Sequence, residues 1–291
     1  MRVLVTGVSG FAGSFIAEHL AANGHDVTGL YRRGLGFAER LTGQDGLTLA
    51  QGDLTAPAGL SGPYEAVVHT AATSPAPGID DAAVLRDGRD ATQALLARMR
   101  AWNSRKLVFL SSLSLHGEID SPLVDEMTPI IRPDAYGVSK ADAERMIADE
   151  AGRLSAVALR LPGVIGPGAH RNWLSGVAAK LRAGQPVRAF SLDAPFNNAC
   201  HVADLARLTQ NLMLRDWTGF DAMVLGARGA MPVRGIIETL AEAMAVACRI
   251  EEAPVAKSGF LLSSERAMAR WGYDPMEIGT MIARYGRESS A

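Results

Sequence analysis

The sequence is short of several things, and each shortage narrows what the protein can do. Its 291 residues include two cysteines, Cys200 and Cys248. They form no metal or redox spacing, which points to reduced thiols in a cytoplasmic protein. The net charge is only −2, so no nucleic-acid or polyanion partner is expected. No apolar run reaches the roughly 18 residues that a membrane-spanning helix needs. The run behind Arg2 is interrupted by glycine too early for a secretory core. Internal repeats and low-complexity tracts are missing too. His69 and His116 stand at strand ends among aliphatic neighbours without ligand spacing, so structural roles are expected of them and no metal site. What remains is ordinary globular composition, 48% hydrophobic and 21% charged. The length suits one large domain with an appended lobe.

Strand-like and helix-like stretches alternate. The pattern predicts strands at Arg2–Thr6, His25–Tyr31, Leu47–Ala50, Ala66–His69, Lys106–Leu110 and Ser155–Leu159. It predicts helices at Ser14–Asn23, Asp80–Trp102 and Tyr136–Ala151. Phe15, Ile16, His19 and Leu20 are placed for the inner face of the first helix; Ala94, Leu95, Leu96 and Met99 for that of the second. Alternation at this pitch implies βαβ units: an α/β, Rossmann-like, doubly wound parallel sheet whose ligand sits beyond the carboxyl ends of the strands. From Gly163 the pattern loosens. Helices at Trp173–Ala183, Val233–Ala247 and Ser263–Trp271 suggest a smaller C-terminal substrate lobe.

Glycine is concentrated where the first strand meets the first helix, in TGVSGFAG. Gly7 permits the turn, Gly10 lets backbone approach a pyrophosphate, and Gly13 lets helix and sheet pack closely. The N-terminus of that helix would then bind phosphate. At the end of the second strand an acid would select NAD, and basic residues NADP. The chain reads Leu30-Tyr31-Arg32-Arg33, so NADP is the expected cofactor and NAD the alternative.

Tyr136 and Lys140 lie one helical turn apart on one face. A lysine cation favours the phenolate of a neighbouring tyrosine, which suits the pair to general acid–base work on an alcohol or carbonyl. Ser112, at the end of the fifth strand, could hold the same oxygen.

These motifs resemble the extended short-chain dehydrogenase/reductase family, the group of nucleotide-sugar epimerases, dehydratases and reductases. The resemblance runs along nearly the whole chain: TGVSGFAG, Gly52-Asp53-Leu54, VVHTAA, LSSLSLHG, YGVSK, LRLPGVIGPG, His201-Val202-Ala203-Asp204-Leu205 and the terminal Trp271-Gly272-Tyr273-Asp274-Pro275. It implies Ser112, Tyr136 and Lys140 as the catalytic set. Implied cofactor contacts are Gly7, Ser9, Gly10, Phe11, Ala12, Gly13, Arg32, Arg33, Asp53, Leu54, Thr70, Ala71, Ala72, Tyr136, Lys140 and Pro162. Substrate contacts fall to Ser112, Asn172 and Asn197. The implied dinucleotide-binding lobe is 1–163 with 196–228, and the substrate lobe 164–195 with 229–291. The implied partner is a small-molecule substrate, a nucleotide sugar; the one assembly considered is a homodimer.

Two departures shape the functional expectation. Asn197 stands where the family often has an arginine gripping a diphosphate, so a forked charge-assisted contact is lost. Where the family often has a second arginine near the C-terminus, the chain offers Lys257. Arg32-Arg33 fits a reductase that exchanges NADP. The first expectation is therefore reduction of a keto group of a nucleotide sugar. Alternatives are a nucleotide-sugar 4-epimerase with recycled NAD, a reductase of a smaller aldehyde or ketone, and an NAD(P)-sensing regulator without chemistry.

Overall fold

The computed structural model describes residues 1–56, 60–254 and 259–290; Lys257 falls outside them. The chain divides into two units. The first comprises Met1–Glu118, Pro129–Arg160 and Leu205–Met223, the second Ile119–Thr128, Leu161–Asp204 and Val224–Ala291.

The first unit is built on β1 (Arg2–Thr6), α1 (Phe11–Ala22), β2 (Asp26–Tyr31), β3 (Leu47–Gln51), β4 (Ala66–His69), α2 (Asp81–Ala101), β5 (Lys106–Ser112) and α3 (Ala135–Ala148). The strands are short and rich in Val and Leu, as strands covered on both faces are. The seven-stranded sheet runs in the order Gly219–Val224, Ser155–Leu161, β5, β4, β1, β2, β3. β1 pairs in parallel with β2 and β4, β2 with β3, and β4 with β5. The chain moves outward from β1 through β3 and returns to β4 on the other side of β1. That reversal creates the crevice at the carboxyl ends of β1 and β4 where such sheets bind ligands. The core beneath contains Leu4, Val67, Leu95, Met99, Phe109 and Ile147.

Boundaries moved where local chemistry acts. α1 begins at Phe11 rather than Ser14, so its free N–H groups follow directly on Gly10. Its fully buried stripe is Gly13, Ser14, Ile16, Ala17, Leu20 and Ala21; Phe15 and His19 lie at the margin. β5 runs on to Ser112, which carries both serines to the sheet's ligand edge. Helices Val202–Leu214 and Ile278–Ser290 were not anticipated.

The second unit has its own core, with Leu174, Val177, Ile236, Ile237, Met281 and Ile282 buried together. The segment Ile119–Thr128 belongs to it because Leu123–Val124 pairs in parallel with Leu261–Leu262. Among the described residues no helix is long and apolar enough to cross a membrane.

The α1–β1 packing is tight at Gly13, where an added Cβ would lie 2.5 Å from the Gly7 carbonyl oxygen and 2.6 Å from Thr70 Oγ1. Backbone cannot retreat as a flexible side chain can. Gly13→Ala is therefore expected to cost about 1–3 kcal/mol, as overpacking does. Urea unfolding checks this; a variant as stable as the parent would mean that the close approach is not tight.

Candidate active site

Gly7 leaves β1 with φ of +72°, and the N–H groups of Gly7 and Val8 both donate to the Leu30 carbonyl at the end of β2. This draws the turn over the second strand. The stretch Thr70–Ala72 is tied to the same turn. Thr70 Oγ1 donates to the Thr6 carbonyl at 2.6 Å, and the Ala71 N–H donates to Thr6 Oγ1 at 3.3 Å. α1 carries no acid in its first turn, and its N-cap, Gly10, has no side chain to occupy the terminal N–H groups. An uncapped positive helix end beside backbone with no room for a Cβ fits the pyrophosphate of a dinucleotide. Around this turn, the Ser9 carbonyl accepts from the Phe37 N–H, and Phe11 packs edge-on against Phe15 and Phe37. Ala12 is partly exposed beside it.

The end of β2 departs from expectation. Arg32 and Arg33 are exposed, but Arg32 Nη1 lies 3.9 Å from Asp53 Oδ2 and 3.7 Å from Asp87 Oδ2. Asp53 accepts from the Thr55 N–H and hydroxyl, which hold its carboxyl below the ordinary range. Asp87 accepts from Thr73 Oγ1. The acid missing from β2 thus arrives from the segment after β3 and from α2. It lies close to Arg32, one of the two arginines that the sequence assigned to a 2′-phosphate; Arg33 remains exposed. Leu54, also expected at the cofactor, turns its side chain into the core.

The expected catalytic residues gather along β5 and α3. Asp134 caps α3 by accepting from the Gly137 N–H at 2.7 Å. Gly137 leaves room for the Ser114 carbonyl, which a Cβ would approach to 2.2 Å, so the helix start seats on the turn after β5. Ser112 Oγ accepts from the Ser114 N–H and donates to Ser114 Oγ, both at 3.1 Å. Tyr136 is partly exposed. Lys140 is buried, and its Nζ donates to the Leu110 carbonyl at 2.7 Å. The ammonium sits 5.5 Å from the Tyr136 ring centroid and 4.7 Å from that of Phe109. Burial pulls Lys140 down to about 8.

His69 links this pair to the glycine turn. Its Nδ1 is 2.7 Å from Thr6 Oγ1, and its ring stacks on Phe109 at 5.6 Å. Burial first, then the Lys140 charge, lowers it to about 3, so it is a neutral packing and hydrogen-bonding group. Two partners went unread in the sequence: Glu144, a further turn along the Tyr136–Lys140 face, and Arg160, which pairs with it. The spacing of Glu144 was the available signal.

Pro162, Asn172 and Asn197 lie in the second unit. Pro162 is partly buried between Ser155–Leu161 and the strand Gly163–Ile165. Both asparagine side chains are committed to the fold. Asn172 caps the helix Trp173–Arg182, accepting from the Ser175 N–H and donating to the Val164 carbonyl. Asn197 is buried, and its amide both donates to the Leu262 carbonyl and accepts from the Leu262 N–H. A cleft of about 210 Å³ in this unit is lined by Asn197, Arg228, Ser263, Ser264, Glu265 and Met268, among others.

An uncapped helix start and a tyrosine–lysine pair are thus joined through Thr6, His69 and Phe109 on one sheet. The chain belongs to the NAD dependent epimerase/dehydratase family, whose model matches residues 3–219. This is the extended short-chain dehydrogenase/reductase group that its motifs resemble. It is 27% identical over 270 residues to a UDP-glucose 4-epimerase of Streptomyces lividans, covering 82% of this chain and 80% of that one. It is 31% identical over 175 residues to that of Corynebacterium glutamicum, covering 57% and 52%. Among solved structures, it is similar to a UDP-glucose 4-epimerase with a TM-score of 0.85 at 23% identity, covering 100% and 97% of the two chains. Another, the enzyme from Stenotrophomonas maltophila with bound NAD and formylated UDP-arabinopyranose, gives 0.82 at 22% identity with the same coverage.

The Lys140 geometry predicts a pH-dependent cost. Its folded value of about 8 lies below the roughly 10.4 of an unfolded lysine. Between those values the unfolded chain binds more protons, so this group's contribution to stability rises with pH. Its penalty is full below pH 8 and gone above about 10.4. Lys140→Met should thus gain stability relative to the parent at pH 7, and that advantage should shrink by pH 10. Paired urea titrations at the two pH values test it; a pH-independent gap would contradict the burial argument.

Proposed function

We propose that the protein is a nucleotide-sugar 4-epimerase that retains NAD and recycles it. The observation that carries this reading is the buried Lys140 ammonium beside Tyr136, on the sheet that also bears the α1 glycine turn. The named relatives, UDP-glucose 4-epimerases, support it over the keto reductase that the sequence favoured. So does the pairing of Arg32 with Asp53 and Asp87, which weakens the argument for NADP.

NAD, when bound, supplies a reversible hydride acceptor. Gly7, Gly10 and Gly13, with the first turn of α1, would hold its pyrophosphate; Thr70, Ala71 and Ala72 would line it, and Asp53 would meet its adenine end. Tyr136 Oη takes the proton from the sugar hydroxyl as that carbon is oxidised, and returns it when the carbon is reduced on the opposite face. The Lys140 cation stabilises the phenolate that accepts the first proton and that is regenerated when the proton is returned. Ser112, oriented by the Ser114 N–H, would turn its hydroxyl from Ser114 Oγ to donate a hydrogen bond to the same substrate oxygen.

One observation favours a second reading, a reductase of a smaller ketone. The Asn197 amide is spent on Leu262, so the position that resembles a diphosphate-gripping arginine cannot play that part.

Incubation with UDP-galactose and NAD separates the readings. Epimerisation gives UDP-glucose with no net change in nicotinamide absorbance. Stoichiometric consumption of reduced cofactor, with a ketone as substrate, would overturn it. Under the favoured reading, Tyr136→Phe should lower turnover by about 100-fold or more, the usual worth of a positioned acid or base. Cofactor affinity should barely move. Retention of turnover in that variant would remove Tyr136 from the mechanism.

A further inference from the structure

Tyr136, Lys140 and Glu144 are spaced four apart on α3 and share one face. β5 meets that face with consecutive residues. Leu110 accepts from Lys140 Nζ at 2.7 Å, and Ser111 Oγ donates to Glu144 Oε1 at 2.5 Å. From the neighbouring strand, Arg160 grips the same carboxylate. Its Nη2 lies 2.8 Å from Oε2, and its Nε lies 3.2 Å from Oε1 and 3.3 Å from Oε2. The two side chains are only 8% and 12% exposed. Buried ion pairs of this kind are weak stabilisers, since apolar residues of similar volume often serve as well. Another role is needed to account for its place one turn from Lys140.

We propose that Glu144 is a positioning residue for Lys140: a buried carboxylate, held in place by Arg160 and Ser111, that keeps the adjacent ammonium charged and fixes the Tyr136–Lys140 face in register on β5. The inference rests on the proton-transfer role given to that face above. The geometry supplies both halves of it. Arg160 and Ser111 satisfy the carboxylate, so its negative charge persists in a poorly solvated place, where it favours a nearby cation. Because Leu110 and Ser111 are adjacent on one strand, a shift of Glu144 would move Lys140 as well.

Titratable and charged groups lie on α3 and on the elements around it, among the described residues. The helix of Lys140 gives Tyr136 and Glu144. β4 gives His69, which is neutral. The strand Ser155–Leu161 gives Arg160, which is paired with Glu144. The turn after β5 gives His116, whose Nδ1 is 3.4 Å from the Pro129 carbonyl oxygen. On α2, Asp87 accepts from Thr73 and Arg89 pairs with Asp142. Glu144 is thus the group that opposes the effect of burial on Lys140.

Direct titration of the ammonium tests the proposal. The chain has four lysines, Lys106, Lys140, Lys180 and Lys257. NMR of the full chain labelled at lysine ¹³Cε can therefore follow Lys140, assigned by its loss in Lys140→Met. The midpoint, near pH 8 in the parent, should fall by about one unit or more in Glu144→Gln. Glu144→Asp, which retains the charge, should restore most of it. In turnover, Glu144→Gln should move the alkaline limb to lower pH and reduce kcat more than it raises KM. Should Arg160, left unpaired, prevent folding, Glu144→Gln/Arg160→Gln removes both charges together, and a smaller downward shift is expected, because a nearby cation is lost with the anion. An unchanged midpoint in whichever variant folds overturns the proposal. Because NMR reads the ammonium without substrate, a wrong substrate class would leave this result intact.

Discussion

The interaction on which the site depends is the hydrogen bond from Lys140 Nζ to the Leu110 carbonyl. It holds an ammonium inside the first unit, where an unsupported charge would be costly. Everything around it serves to make that placement tolerable. The Phe109 ring offers its face, the neutral His69 adds no second charge, and Glu144 supplies an opposite one. The same contact orients α3, and with it Tyr136. The chemistry and the seating of the helix on β5 are therefore one structural fact.

The second constraint is steric. Gly13 lets α1 approach the Gly7 carbonyl and Thr70 closely, and the helix axis then leads its uncapped end to the carboxyl edge of β1. Thr6 belongs to both regions. Its carbonyl accepts from Thr70, and its hydroxyl meets His69, which stacks on Phe109 beneath Lys140. The glycine turn and the Tyr136–Lys140 pair, proposed above as phosphate cradle and proton-transfer pair, share this continuous packing, so a disturbance at either end should be felt at the other.

Much of this was legible in the sequence because it is local. The glycine ladder, the four-residue spacing of Tyr136 and Lys140, and the alternation of strands with helices all lie within short windows. What was missed lies across long ones. Arg32 reads as a phosphate ligand until the fold brings Asp53 and Asp87 to it from 21 and 55 positions away. Asn197 reads as a lost arginine until the fold shows its amide pairing with Leu262. Glu144 was visible at the right spacing, but its meaning depends on Arg160 and Ser111, which reach it only through the sheet. The helix Ile278–Ser290 escaped for a different reason. Gly279 and Gly286 dilute its propensity, and only the burial of Met281, Ile282 and Tyr285 makes it stable.

The central proposal is that the first unit holds a dinucleotide whose 2′-position meets an arginine already paired with Asp53 and Asp87. Mass spectrometry of nucleotide released by denaturing protein purified without added ligand tests it most directly, with NAD and NADP titrated separately into the emptied protein. The account predicts that NAD is released and rebinds more tightly. Release of NADP, or tighter rebinding of NADP, would mean that Arg32 and Arg33 act on a 2′-phosphate despite Asp53 and Asp87, and would contradict it.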